Sequence, residues 1–591
     1  MRRFLAIVFS AVLLVPTTPV AAEPWDFNPG DIQSQGKSAV RIEEAYDTGK
    51  PSAVMVSVVN SANGSSASYA CLEYPSTACP TSILKNSFGE IPAGATYPYK
   101  RMDFFVVMPA CEVASSNDFC IEDVRIYGVD AEPVSATFLQ AVDNTTTAGV
   151  PSVGVPAGGH ISLWQGAAGS GFENLKMAAV VQANFVYYPF SGPNFVINDF
   201  SAQLIPYRDD RSTNYSSIGL VPTVIGPNGE PVEAGLGGRS QPMPGCVWQT
   251  VGICGKRIDS PQGVKYGITL RSSTKLAAFM NGRLKGPDLT VTEEGTVSLL
   301  KLDAEPVQVA EFGLVYDPTP EIKRRMPSLP EGGTYTKAFF PNAREIIEAF
   351  RDLAGDKASG ENTSWRLSTV GVAGLSRCYS DYGIAGLVTT NATTYGGEPP
   401  TLENGFLNYT VAGMHYLSNG KDLFEGTYDL IIKSEVARCL YGYSKAPVSA
   451  TVSVVGDDGE ESIATTVVSE RDGWLKLAAY GFTFSEKEIK VKLSQPQTKT
   501  LTAFARTATG LTSKQKAEIR ATVTKGASNT KFICTGIRLE GQPQALNTLV
   551  RKRAKLACDY AKSLNPKLST FFQTKTTKAR SFNGKVLVVS K

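Results

Sequence analysis

Histidine is nearly missing from this 591-residue chain; only His160 and His415 are present. A histidine-based triad would have to recruit one of them, and each stands isolated, in AGGHISLW and AGMHYLS. The nucleophile pattern G-x-S-x-G is missing too. GLSRCYS, around Ser376, lacks the second glycine and has a cysteine close by. No C-x-x-C pair occurs, which with so little histidine disfavours a zinc site. Beyond the N-terminus no apolar run approaches the ~20 residues that cross a bilayer as a helix. Charge is scarce as well, at 19% of residues against about 25% in ordinary globular domains. Neither a metal nor a cofactor is expected, and no catalytic residue can be assigned. Glycosidase chemistry, which needs only two spaced carboxylates, stays open.

The N-terminus carries two basic residues, Arg2 and Arg3, and then an apolar run from Phe4 to Val15. Val20 and Ala22 stand at −3 and −1 of a small-residue cleavage site, so a secretory signal over residues 1–22 is expected, with Glu23 opening the mature chain. Ten cysteines accompany it: Cys71 and Cys79, Cys111 and Cys120, Cys246 and Cys254, Cys378 and Cys439, Cys534 and Cys558. An even count in an exported chain implies disulfides. Pairing neighbours in order closes loops without crossings, although spacing alone does not prove the connectivity.

Short β-type runs such as SAVMVSVVN, RMDFFVVM, KMAAVVQANFVYY and TVSLLKLD alternate with Gly, Pro and Asn turns from about residue 40 to 316. That rhythm predicts sandwich-like or barrel-like domains. The expected organisation is β-rich domains at 23–160 and 161–316, a Pro-rich linker at 317–340, a β-rich domain with one helix at 341–497, and a basic module at 498–591. In PNAREIIEAFRDLAGD, Ala343, Ile346, Ile347, Phe350 and Leu353 fall on one helical face between Pro341 and Gly355. The fold class is thus mostly β: several sandwich-like domains followed by a C-terminal α/β sandwich.

The C-terminal stretch differs in charge. Residues 511–591 hold 17 Lys plus Arg against Glu518, Glu540 and Asp559, a formal +14, while the remainder carries −11. TLTAFART alternates like a strand. Thr512 and Gln515 are spaced as a capping box, opening a helix that Gly526 would stop. KFICTGIR reads as a second strand. Leu546, Leu549, Val550, Ala557, Ala561 and Leu564 mark a second helix ending before Pro566, and STFFQTK and GKVLVVS close as strands. Strand, helix, strand, helix, strand, strand predicts a sandwich with both helices on one face. Cys534 shares strand parity with Phe532 and Gly536, so it meets Cys558 if that parity faces the helices.

ALNTLVRKRAKLACDYAKSL resembles the second helix of the OmpA-like peptidoglycan-binding domain, with Leu549, Arg553, Ala554, Asp559 and Tyr560 at matching places. The likeness spans about ninety residues and includes the order of elements. It implies a βαβαββ fold and a place at the cell wall. In that family an Asp ending the second strand and the Arg of R-A hold the zwitterionic centre of diaminopimelate. Here the arginine is Arg553, on the stripe of Leu549 and Ala557 that should point toward the sheet or its edge, while the Asp place is taken by Arg538. Two guanidinium groups fork onto anions rather than onto a zwitterion. The expected ligand is therefore an anionic wall or surface polymer, peptidoglycan or an associated glycan. Arg538 and Arg553 would hold it, with Arg551, Lys552 and Lys555 around them. A solvated face that merely keeps the module soluble is the competing reading. Nucleic acid is a weaker partner, since stacking aromatics are sparse in the basic stretch.

With its SEVARCLYGY and ERDGWLKLAAYGFTF stretches, the region from 364 to 497 is similar to segments that precede such modules in exported proteins of Gram-positive actinobacteria. A non-catalytic, noncovalently wall-associated envelope or surface protein is the expectation, its N-terminal β domains serving recognition or display. A secreted glycan-degrading hydrolase with the same anchor is the alternative.

Overall fold

The computed structural model describes residues 36–44, 53–60, 66–71, 98–114, 118–147, 149, 154–187, 196–212, 224–225, 231–232, 245–274, 276, 278–328, 333–370, 377–380, 383–403, 406–442, 449–455, 461–462, 465–484, 487–494, 497–525 and 531–590. Among these the protein is mostly β, with several sheets and few helices. The expected signal segment and Cys79 lie outside the described residues, as do Ser376 and Gly526.

A sheet of 15 strands organises the body. Its strand Lys176–Tyr187 explains the near-continuous apolar run of that segment, because both faces are covered. Met177, Ala179, Val181, Ala183 and Phe185 enter one core, and Ala178 and Val180 enter another with Leu163, Tyr207 and Trp248. Against the first face stacks a four-stranded sheet built from Phe119–Gly128, Val264–Ser272, Lys285–Glu294 and Val297–Glu305. Strand Val264–Ser272 alternates as a half-covered strand should: Val264, Tyr266, Ile268 and Leu270 are buried at every second place. Further along the large sheet a second core gathers Phe312, Ile346, Phe350, Leu430, Leu477 and Phe484.

Strand pairing runs across the expected boundaries. The cut near residue 160 falls inside strand Gly158–Gln165, which pairs with Thr137–Thr147 before it and Lys176–Tyr187 after it. In the Pro-rich segment 317–340 the described residues include a helix and a strand. Thr319 caps helix Pro320–Arg325, Ile322 and Met326 are buried, and Gly333–Lys337 pairs in parallel with the first described strand, Ser38–Glu43. Proline at the first helical position forfeits no hydrogen bond, so prolines here start helices instead of breaking structure. Most strands within residues 341–497 divide between two sheets. Arg366–Val370, Ile384–Thr390, Glu425–Lys433, Thr465–Arg471 and Trp474–Thr483 join the large sheet. Thr394–Tyr395, Thr401–Glu403, Phe406–Ala412, Ser449–Val455, Glu461–Ser462 and Lys487–Ser494 form a six-stranded sheet of their own.

Helix Pro341–Phe350 buries Ala343, Ile346, Ile347 and Phe350, whereas Leu353 is exposed, because the helix ends at Phe350 and turns. Among the described residues four disulfides are formed, Cys111–Cys120, Cys246–Cys254, Cys378–Cys439 and Cys534–Cys558, while Cys79, of the expected pair with Cys71, lies outside them. Asn362 and Asn391, two asparagines in N-x-S/T sequons, are buried; Asn391 donates to the Glu425 carbonyl and accepts from the Thr427 N–H.

The C-terminal module has the expected order with one shift. Its first strand is Gln497–Thr500, so TLTAFART enters the sheet only by its first residue and then runs as an irregular segment. The sheet is ordered Gln497–Thr500, Val586–Ser590, Lys531–Leu539, Ser569–Thr577, the last two parallel. Helices Ser513–Lys525 and Gln544–Leu564 share one core with Phe532, Cys534, Val586 and Val588, which fixes both on the same sheet face. The capping box is formed in both directions: the Gln515 N–H donates to Thr512 Oγ1 at 3.2 Å, and the Thr512 N–H donates to Gln515 Oε1 at 2.9 Å. No helix among the described residues is long and apolar enough to cross a membrane.

Candidate functional site: the basic helical face of the C-terminal module

On helix Gln544–Leu564 the buried stripe is Val550, Arg553, Ala554, Ala557, Cys558 and Ala561. At 100° per residue, the opposite face carries Lys552, Lys555 and Asp559, with Arg551 on one flank and Tyr560 on the other. Arg551, Lys552 and Lys555 are exposed. Arg551 lies over the Phe572 ring, 5.7 Å from its centroid, toward the edge strand Ser569–Thr577. Lys555 pairs with Asp559 at 2.8 Å, but both side chains are more than half exposed, so this bond yields readily to a competing anion. On the other flank, Lys516 and Arg520 of the neighbouring helix converge on Tyr560. Lys516 Nζ stands 5.7 Å from its ring centroid, and Arg520 Nη2 donates to its hydroxyl at 3.2 Å.

Arg553 plays a different part from the one expected. Its guanidinium, only 2% exposed, is committed inward. Nε donates to the Ala508 carbonyl at 2.9 Å, Nη1 to that of Gly584 at 3.0 Å, and Nη2 to those of Ala505 at 2.6 Å and Arg506 at 3.2 Å. The Phe504 ring lies 4.8 Å below. Burial pulls its pKa below the ordinary arginine value. This arginine holds the irregular 504–508 segment onto the sheet, and its charge is spent on carbonyls. Arg538 is not brought to it: its Nη1 donates to the Gln542 carbonyl at 3.1 Å, ahead of the helix N-terminus. The two-arginine fork is therefore not formed, and the accessible cations gathered on the exposed helical face are Arg551, Lys552 and Lys555 with Lys516 and Arg520. The burial of position 553 was readable from helical spacing; its carbonyl partners, 45 to 48 residues earlier, left no sequence signal.

Of the two histidines, His415 has structural partners. His415 sets Nδ1 3.2 Å from the Phe484 carbonyl, its N–H donates to Asp356 Oδ1 at 2.9 Å, and its ring packs edge-on against Tyr416. Trp164, Trp248 and Trp474 are buried in cores and offer no face for stacking on a sugar. Among the described residues no three His, Cys, Asp or Glu side chains gather closely enough to hold a metal ion. No protein-family model matches the chain, and no curated protein matches it either.

Proposed function

We propose that this is an exported, non-catalytic envelope or surface protein whose basic C-terminal module, related to the OmpA-like domains, binds an anionic wall or surface polymer. The observation that carries the reading is the exposed row Arg551, Lys552 and Lys555 beside Lys516 and Arg520, within residues 511–591 of formal charge +14. The disulfides support an oxidising compartment. The rest of the chain, residues 1–510 at a formal −11, would stand off the same polymer and face outward.

The test is co-sedimentation of the full chain with isolated wall polymer at low and high salt. Binding at low salt and release at high salt are expected, because exposed charges are screened within about a Debye length, ~10 Å at 0.1 M. Replacing Arg551, Lys552 and Lys555 together by glutamine should abolish sedimentation at an unchanged melting temperature. Retention of that variant would overturn the proposal.

A further inference from the structure

Where the large sheet and the four-stranded sheet part at one end, a cleft of about 490 Å³ opens between them. That size lies within the range of small-molecule sites, about 300–1,000 Å³. Its floor is buried and apolar, with Phe119, Leu270 and Leu300 from the small sheet facing Phe200 and Ile384 from the large one. Ile197 and Val291 continue the apolar wall outward and are only partly covered. Stacked sheets stand about 10 Å apart, so the slot is one side chain deep. It suits a flexible methylene chain better than a branched or fused-ring body.

Two charged groups line the mouth, Lys433 and Glu293. Glu293 lies in water and accepts from Ser298 Oγ at 2.8 Å. Lys433 ends strand Glu425–Lys433 and is half-buried, its Nζ 5.6 Å from the centroid of the Trp474 ring. Burial draws its pKa down, while Glu435 and Glu293 oppose the shift. A partly desolvated ammonium gains more from a new anionic partner than a hydrated carboxylate gains from a cation.

We propose that this cleft binds a single-chain amphiphile, its hydrocarbon tail lodged between Phe119, Leu270, Leu300, Phe200 and Ile384 and its anionic head group against the Lys433 ammonium. The site is independent of the basic module and of whatever that module binds.

The experiment uses the full chain and a dansyl-labelled undecanoic acid, displaced by palmitate or by hexadecanol, with Trp474 emission followed in parallel. Saturable one-to-one binding of the probe is expected, with displacement by both competitors. Val291→Trp, which fills the slot from a partly covered wall position, should abolish binding while the near-ultraviolet circular dichroism is kept. Ile197→Trp serves if that variant does not fold. Lys433→Met should weaken palmitate about tenfold, the worth of one charge-assisted contact, and leave hexadecanol unchanged. Absence of saturable binding, wild-type affinity in a folded slot-filling variant, or equal effects of Lys433→Met on acid and alcohol would each overturn the proposal.

Discussion

Gly536 lies directly beneath the carbonyl of Val550: a Cβ built on this glycine would stand 2.3 Å from that oxygen and 2.7 Å from its carbon. The long helix therefore rests on the central strand of the C-terminal sheet at backbone distance, and no side chain larger than hydrogen fits. Gly536→Ala should lift the helix and cost about 1–3 kcal/mol, as overpacking generally does. Thermal unfolding of the module, followed by far-ultraviolet circular dichroism, checks it. An unchanged melting curve would mean that the helix tolerates the shift.

Arg553 and Arg551 sit two residues apart and should behave oppositely. Arg553→Met leaves the carbonyls of Ala505, Arg506, Ala508 and Gly584 without their donor. These carbonyls belong to exposed or half-buried residues, and that of Ala505 keeps the Ala508 N–H as a donor. The loss is that of hydrogen bonds to a charged group, about 1.5–3 kcal/mol, and the module should melt earlier. Arg551→Gln removes an exposed charge and should leave melting unchanged while weakening polymer binding. Melting and sedimentation measured on both variants separate a structural arginine from a binding one.

Asp429 gives the body a pH dependence of unusual sign. It is buried, accepts from the Tyr480 hydroxyl at 2.6 Å and from the Gly286 N–H at 3.2 Å, and burial pushes its pKa up to about 6. An unfolded aspartate titrates near 4, so between these values the folded state holds the proton more tightly. Stability from this group is present below pH ~4 and is lost as pH rises through about 6, by roughly 3 kcal/mol. Asp429→Asn should therefore gain on the wild type as pH rises from 4.5 to 7.5 in denaturant titrations. Parallel curves would assign the ionisation elsewhere.

Cys378–Cys439 and Cys534–Cys558 span 61 and 24 residues. The chain-entropy model gives about 4 and about 3 kcal/mol for such loops. Replacing Cys534 and Cys558 by serine should lower the stability of the C-terminal module alone. Replacing Cys378 and Cys439 should loosen the contact between helices Arg377–Ser380 and Ser434–Tyr441 and lower that of the body. Proteolysis rates of the two regions distinguish these outcomes.

What could be read from the sequence was local. The Thr512–Gln515 box, the buried stripe of helix Gln544–Leu564, the parity that aims Cys534 at Cys558 and the face Ala343–Phe350 all follow from spacing within one or two turns. Strand pairing was not legible, since alternation tells a strand which face to bury but not which neighbour to take. The same blindness hid Arg283. This fully buried arginine donates Nε and Nη2 to Glu44 Oε2 at 2.8 and 2.7 Å across 239 residues. Nothing in its strand, AFMNGR, marks the arginine for burial. Composition located the basic module but could not sort its arginines into those facing water and those holding carbonyls.

The strand Ala278–Arg283 has both its neighbours, Arg366–Val370 and Ile384–Thr390, later in the chain. A polypeptide ending anywhere between 284 and 365 would hold that strand with two bare edges, a template for aggregation. Nested pairing of this kind makes the body an all-or-nothing object. Shortened forms meant to isolate its first half should precipitate, and maturation of the body has to wait until the far partners are available.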